Sequence, residues 1–269
     1  MLLVAFPDFH GKYHDVRAKR AFLSDLRILR PKRIVGLGDG TDVSGVFSAH
    51  PRNYIEELEY SYEEDVDAFG SFLDEIQEIC PDAEIDVIEG NHDAHIHRWV
   101  ARTFTHSKDA EKVRSLLAPE ERLRFKERGI RYYRTEKKYM GLSVPGTIKI
   151  GKCLFTHGFH AGKYATAQHL DSLGTNCVHG HTHRAQSVVK RTAASGEIGA
   201  WCPGTLSVLQ PLYRHNAVTT WSHGYAVQMH ERDGRFLHIN VPIVGGRSLL
   251  SPLLNELRPQ RLMGGRKAA

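Results

Sequence analysis

Five short motifs, each directly after a predicted strand, combine aspartate, histidine and asparagine. The chain has 17 histidines among 269 residues, and histidine is the commonest metal ligand and a frequent acid–base residue in proteins. Carboxylate, imidazole and amide oxygen together suit Mn²⁺, Fe or Zn²⁺ and do not suit soft metals bound by thiolates. The pattern therefore predicts a metal centre. The motifs are Asp8-Phe9-His10, Gly38-Asp39, Gly90-Asn91-His92-Asp93, Thr156-His157-Gly158 and Gly180-His181-Thr182-His183.

These motifs differ greatly in how informative they are. Asp-x-His is expected about once by chance in a chain of this composition, and Asp93-Ala94-His95 is indeed a second example. Gly-Asn-His-Asp, in a chain with six asparagines, is expected roughly 0.002 times. The prediction depends on this tetrapeptide and on the placement of all five motifs at strand ends.

The candidate ligands are too many for one tetrahedral zinc ion and about right for two metals. Two divalent ions roughly 3.5–4 Å apart clamp a phosphoryl group and activate a water molecule as the nucleophile. Such a pair needs a bridging carboxylate. Asp39 is placed for this role, because the glycines on both sides of it allow the backbone to approach the site closely.

The order of the five motifs resembles that of the calcineurin-like metallophosphoesterase superfamily over residues 8–183. Cys202-Pro203-Gly204-Thr205 is a weaker echo of the Asn-Pro-Gly-Ser turn found in many members, and its departures should leave metal binding intact. The resemblance implies an α/β fold, an αββα sandwich of two mixed sheets flanked by helices. It also implies a dinuclear metal site at the carboxyl ends of the strands.

The resemblance assigns a role to each motif residue. Two divalent ions are implied, with Mn²⁺ as the first choice and Fe, Zn²⁺ or Ni²⁺ as alternatives. His92 resembles the histidine that binds no metal and protonates the leaving group, and Asp93 the acid that orients it. The ligands of the first metal are Asp8, His10 and His183, those of the second are Asn91, His157 and His181, and Asp39 bridges the two.

Three further residues are candidates for the surroundings of this site. Asp42 is expected to support a ligand or cap a turn rather than to bind the metal itself. Arg98 could reach a phosphate, although an ordinary arginine on a helix surface is the alternative. His179 shares a strand face with His181 and His183, which makes it a candidate support, with simple packing as the alternative.

The elements around the motifs alternate between β and α in the first half of the chain. Strands are predicted over 2–6, 33–37 and 84–88, helices over 15–29 and 62–79, and helical pieces over 94–127. The second half is mostly β. Its strands are predicted over 130–134, 138–143, 147–150, 153–156, 176–179, 184–191, 197–201, 224–231 and 235–242, with one helix over 163–173.

The composition, 41% hydrophobic and 25% charged, is that of a globular protein and excludes fibrous and disordered classes. The apolar stretch 1–6 is too short for a membrane span and lacks the features of a signal peptide. Four widely spaced cysteines predict reduced thiols and a cytoplasmic protein. We expect a single domain over residues 1–246, with no membrane partner; the oligomeric state stays open.

The net charge of +5 is unevenly distributed. Residues 247–269 carry five bases and one acid, and we expect them to form a basic, mobile tail. Residues 54–93 hold fifteen acids and no lysine or arginine, whereas residues 98–140 hold thirteen bases and six acids. Oppositely charged surface helices explain this pattern, and a nucleic-acid groove is the alternative.

The sequence thus predicts a dinuclear-metal-dependent hydrolase of phosphate esters. A phosphodiesterase or nuclease acting on nucleotides or DNA is the first choice, and a phosphomonoesterase acting on a phosphoprotein or small molecule is the second. A catalytically silent metal-binding scaffold is the alternative from another class, and the intact His92-Asp93 pair argues against it. Residues 40–60 and 94–140 match no known pattern, and substrate choice would be set there.

Overall fold

The computed structural model describes residues 1–47, 59–105, 108–139, 141–142, 144–211, 214 and 218–256. No helix in these ranges is long and apolar enough to cross a membrane. The strands are β1 (Leu2–Phe6), β2 (Arg33–Gly36), β3 (Glu84–Ile88), β4 (Arg131–Tyr133), β5 (Thr147–Ile150), β6 (Cys153–Thr156), β7 (Asn176–His179), β8 (Gln186–Thr192), β9 (Gly196–Cys202), β10 (His223–His230), β11 (Phe236–Val244) and β12 (Arg247–Ser248).

The two longest helices begin at residues whose side chains cap them. Asp15 accepts hydrogen bonds from the N–H groups of Arg17 and Ala18 and so caps the first helix, while Ser61 caps the second. The helices are α1 (Val16–Leu29), α2 (Tyr62–Ile79), α3 (His95–Thr103), α4 (Ala110–Leu117), α5 (Pro119–Arg122), α6 (Ala165–Leu173) and α7 (Ser251–Glu256), with short 3-10 turns at Gly11–Tyr13 and Gly45–Phe47.

The strands form two mixed sheets. The first has the order β12-β11-β10-β1-β2-β3-β4, and the second has the order β5-β6-β7-β9-β8. Strands β1 to β4 run parallel to one another, as do β6, β7 and β9. Strands β5, β8 and β10 to β12 pair antiparallel to their neighbours.

Alternation along β1 shows how the layers pack. Leu3 and Ala5 face the second sheet in one buried cluster, whereas Val4 and Phe6 face α1 and α2 in another. A central strand buried on both faces has to be apolar throughout. A third cluster joins the outer face of the second sheet to Leu170 of α6. The layers therefore run helix, sheet, sheet, helix, which confirms the predicted αββα sandwich.

The five motifs follow β1, β2, β3, β6 and β7, the parallel strands of the two sheets. Parallel strands deliver their carboxyl ends to the same edge of a sheet, where ligand sites form in α/β folds. The two sheets are packed face to face, so their motif loops meet at one rim of the sandwich.

One predicted strand does not form in the described residues, and part of another predicted segment lies outside them. Residues 138–139 and 141–142, predicted as part of a strand, lie in turns and irregular backbone. The N–H of Gly146 bonds back to the carbonyl of Lys137, which closes a loop instead of extending a strand. Residues 48–58, within the 40–60 segment, lie outside the described part of the chain.

The first ten residues of the predicted tail 247–269 include strand β12 and helix α7. Strand β12 pairs with β11, and α7 packs against α1. The Ser251 hydroxyl donates to Asp25 at 2.7 Å, and Leu254 is buried. The apolar side of this segment anchors it, which net charge alone could not indicate. Residues 257–269 lie outside the described residues.

Candidate metal centre

The loops that carry the candidate ligands have unusual backbone geometry. His10, Asp39, His181 and His183 all adopt positive φ, between 50° and 69°. Side-chain-bearing residues seldom adopt this conformation, and it is concentrated at functional sites where surrounding structure enforces it. The three loops, after β1, β2 and β7, are thus shaped to bring these side chains together.

Two glycines of the motifs are needed because carboxylates pass close to them. A Cβ added to Gly180 would lie 2.5 Å from Asp8 Oδ2, and one added to Gly90 would lie 2.0 Å from Asp39 Oδ1. Any larger residue would push these carboxylates away. The glycine that begins each of these two motifs is therefore needed for tight packing of the loops around Asp8 and Asp39.

Asp8, His10 and His183 form the first ligand cluster. His183 Nε2 lies 3.3 Å from Asp8 Oδ1 and 3.1 Å from His10 Nε2. The other carboxylate oxygen, Asp8 Oδ2, is buried and makes no hydrogen bond. The three side chains offer one ligand atom each within a common space suited to a single ion.

Asp39, His157 and His181, with Asn91, form the second ligand cluster. His157 Nε2 lies 3.3 Å from Asp39 Oδ2, 2.9 Å from Asn91 Oδ1 and 3.2 Å from His181 Nδ1. Asp39 also lies close to the first cluster, because its Oδ2 is 3.8 Å from His10 Nε2. The structure thus brings all seven predicted ligands together, with Asp39 between the two groups.

Three features of these residues fit divalent metal ions. The buried, unpartnered Asp8 Oδ2 needs a cation or donor to offset its desolvation. Imidazole nitrogens face each other across 3.1–3.2 Å, although each neutral ring has only one N–H to donate. The donor set is all oxygen and nitrogen, as in the sequence analysis. The two clusters therefore suit two ions of this class.

Hydrogen bonds behind the ligands fix which nitrogen faces the site. His157 Nδ1 donates to the Leu37 carbonyl at 2.9 Å, and His10 Nδ1 donates to Asp42 at 2.7 Å. In both rings Nδ1 is therefore occupied and Nε2 is the nitrogen that faces the cluster. Asp42 occupies the supporting position that the sequence predicted for it.

His92 lies beside the first cluster, with its ring 4.7 Å from that of His10. Its Nδ1 donates to the Asp42 carbonyl at 2.8 Å and lies 3.3 Å from the Asp42 carboxylate. Burial disfavours the charged ring, but the Asp39 and Asp42 carboxylates outweigh it and raise the pKa of His92 to about 10. The carboxylates of the metal-free site therefore favour the protonated ring, which is oriented from its Nδ1 side.

Asp93 does not orient His92, contrary to the role that the resemblance implied. Its carboxylate accepts from the Gly90 N–H at 2.9 Å, the Thr41 N–H at 2.9 Å and the Thr41 hydroxyl at 2.6 Å. It therefore ties the loop of Asp39 to the loop of Asn91. Burial and the Asp39 charge raise the pKa of Asp93 to about 6.

Arg98 lies at the surface next to the second cluster, whereas His179 is buried. Arg98 is exposed on α3, and its Nη1 donates to the Asn91 carbonyl at 3.1 Å, next to the second cluster. His179 is fully buried, bonded to Thr166 and to the Gly180 carbonyl, and stacked on His169 at 4.1 Å. His179 is thus packed behind the site, in agreement with the alternative interpretation.

Sequence reasoning missed two buried residues that support the loops. His169 Nε2 accepts from the Phe159 N–H at 2.9 Å, and its Nδ1 donates to the Ala165 carbonyl at 2.7 Å. Asp65 accepts from the N–H groups of Asp42 and Val43 at 3.0 and 2.9 Å. Each stands within a predicted helix and has no local motif, so nothing in the sequence distinguished them.

The sequence matches no protein-family model and no curated protein. Several solved structures match across nearly their whole length. Wild-type Vps29 from Entamoeba histolytica, complexed with Zn²⁺, is 14% identical, covers 92% of this chain and 96% of its own, and gives a TM-score of 0.44. YfcE, a phosphoesterase from E. coli, is 17% identical, covers 89% and 99%, and gives a TM-score of 0.36.

Proposed function

We propose that this chain, which has the fold and the ligand-type residues implied by its calcineurin-like resemblance, is a metal-dependent phosphoesterase. Its preferred reaction is hydrolysis of phosphodiesters, with nucleotides or nucleic acid as substrates. The observation that carries this proposal is the position of Asp39 between two clusters of ligand-type side chains. A shared carboxylate is what a two-metal hydrolytic site requires.

Two divalent ions bound there would supply Lewis-acid activation of a phosphoryl group and of water. Asp8, His10 and His183 would hold one ion, and Asn91, His157 and His181 the other, with Asp39 shared. The chain's remaining task is proton transfer. With Nδ1 donating to the Asp42 carbonyl, the His92 ring presents Nε2–H for the departing oxygen.

The preference for a diester follows from this proton donor. An alkoxide is a poor leaving group, and a positioned acid makes its departure easier. The basic 98–140 stretch offers an anionic substrate only those bases that do not pair with acids. Several bases of the 98–140 stretch pair with acids, among them Arg122 with Glu63 and Arg128 with Asp74. Other bases of the stretch are exposed, among them Arg102 on α3 and Lys112 on α4.

A substrate panel with metal-reconstituted protein tests the proposal. The panel contains bis-p-nitrophenyl phosphate, p-nitrophenyl phosphate, 2′,3′-cyclic nucleotides, and single- and double-stranded DNA. We expect turnover of the diesters that depends on added Mn²⁺ or another divalent ion and exceeds turnover of the monoester. Full metal occupancy without any turnover would instead indicate a scaffold, and monoester preference would favour the phosphomonoesterase alternative.

A further inference from the structure

A pocket of about 460 Å³ opens directly beside the second ligand cluster. Asn91 and His157 form the wall nearest the predicted metals, and Phe159 and Arg98 belong to the same lining. Thr135, Pro145 and Gly146, from the segments before β5, complete it. A largely apolar recess that adjoins a reactive centre is the usual form of a substrate subsite.

Phe159 is an exposed aromatic ring on a firmly held backbone. Its side chain is 48% exposed, while its N–H donates to the buried His169 ring. His169 also packs against the edge of the Phe159 ring, with centroids 4.6 Å apart at 61°. Exposure of a large apolar ring in a recess next to a catalytic centre points to a ligand that covers it.

Arg98 adds a positive charge to the same pocket. One guanidinium nitrogen is used by the Asn91 carbonyl, and no carboxylate in the described part of the chain forms an ion pair with it. Guanidinium groups with unused N–H donors bind phosphate oxygens well. The pocket therefore combines a flat apolar ring with an anion-binding group in one lining.

We propose that this pocket binds a nucleoside of the substrate, with its base stacked on Phe159 and a phosphate oxygen on Arg98. This inference rests on the proposed function and specifies its substrate class. Aromatic side chains stack on bases without regard to sequence. A phosphotyrosyl ring would also be flat, but the pocket is larger than a single phenyl ring requires, and a base with its sugar fills it better.

Two diesters with the same leaving group test the proposal. Thymidine 5′-p-nitrophenyl phosphate and methyl p-nitrophenyl phosphate both release p-nitrophenolate, so they differ only in the group that remains. We expect the holoenzyme to prefer the nucleoside ester. Phe159→Ala should lower kcat/KM for that ester about tenfold or more, mainly through KM, and lower it much less for the methyl ester. Phe159→Trp should restore the preference.

Tyr164→Ala is the matched control, because Tyr164 is an aromatic residue of the same segment, 67% exposed, that lines a different pocket. It should leave both esters unchanged. Equal losses on the two esters in Phe159→Ala, or a greater loss on tyrosine phosphate than on the nucleoside ester, would overturn the inference. Absence of turnover with every ester in the metal-loaded wild-type protein would instead overturn the proposed function.

Discussion

At the scale of single residues, Asp42 acts on two groups of the site at once. It accepts from the His10 ring, lies 3.3 Å from His92 Nδ1, and receives the Ser44 hydroxyl. His92 and His10 hold the pKa of Asp42 far below its usual range despite burial of its carboxyl. One negative charge therefore supports both a metal ligand and the proposed acid.

The first prediction concerns His92 as the proton donor. His92→Ala should greatly reduce kcat on a diester with a poor alkoxide leaving group, by about 10²–10⁴-fold. The loss with p-nitrophenolate, which leaves without a proton, should be much smaller. Kinetics on both substrates, with elemental analysis of metal content, measure this. Equal losses on both, or loss of metal, would show that His92 is a ligand, as its proximity to His10 and Asp39 permits.

The second prediction separates Asp42 from Asp93. Asp42→Asn keeps an oxygen for the His10 ring but removes one of the two charges, those of Asp39 and Asp42, that raise the pKa of His92. A proton donor is lost as pH rises through its pKa, so the alkaline limb of the kcat profile should move to lower pH. Asp93→Asn should lower the melting temperature, since the carboxylate binds backbone N–H groups, and leave that limb in place. A shift of the alkaline limb in Asp93→Asn, without one in Asp42→Asn, would show that Asp93 is the residue that orients His92.

At the scale of elements, local patterns predicted the strands and helices well because their apolar spacing is regular. Strand β1 and helix α2 have the predicted bounds. The strand predicted over 138–143 is absent from the described residues 138–139 and 141–142. The Gly146 N–H donates to the Lys137 carbonyl instead, which closes a turn. The ligands were predictable because each follows a strand. The partners of Asp42 and Asp93 were not, since they lie about 50 residues away in the sequence.

The third prediction concerns the contact between α6 and the loop after β6. His169→Phe keeps the ring but removes the acceptor for the Phe159 N–H, and an unpaired N–H there costs about 1–3 kcal/mol. We expect a corresponding fall in the free energy of unfolding and weaker binding of one of the two metals, since the loop carries His157. Urea unfolding and metal titration measure these effects. Ser172→Ala, which removes an exposed hydrogen bond of the same helix to His160, is the control and should change neither.

At the scale of the whole molecule, the candidate metal centre lies across the junction of the two sheets. Asp8, Asp39 and Asn91 follow strands of the first sheet, whereas His157 and His181 follow strands of the second. The complete ligand set therefore exists only when the sheets are docked. Metal binding must then stabilise the sandwich as a unit, because the unfolded chain lacks the site.

The fourth prediction follows from that coupling. Metal at 100 times its dissociation constant should raise the free energy of unfolding by about 2.7 kcal/mol for each ion bound, and EDTA should remove the gain. Asp39→Asn should abolish most of the gain, because it replaces one oxygen of the shared carboxylate with a donor amide. Calorimetry with and without metal is the measurement. A wild-type protein whose unfolding is indifferent to metal, or that holds at most one ion per chain, would contradict the dinuclear site.

The last prediction concerns acid stability of the metal-free protein. Burial lowers the pKa of His95, His169 and His238 to about 4 and that of His179 to about 3. Below pH 6.5 the unfolded chain takes up protons that these folded histidines refuse, so stability falls as pH drops toward 4. Asp93 opposes this with one proton, because its pKa is raised to about 6. Each such histidine contributes about one proton, or roughly 1.4 kcal/mol per pH unit near pH 5, to this fall, and His181 adds to it because burial lowers its pKa to about 4. Urea unfolding in EDTA at pH 7.5, 6.5 and 5.5 should show this loss, and His238→Gln should reduce the slope by about one proton. Stability that stays level down to pH 5 would mean that these histidines accept protons while the protein remains folded.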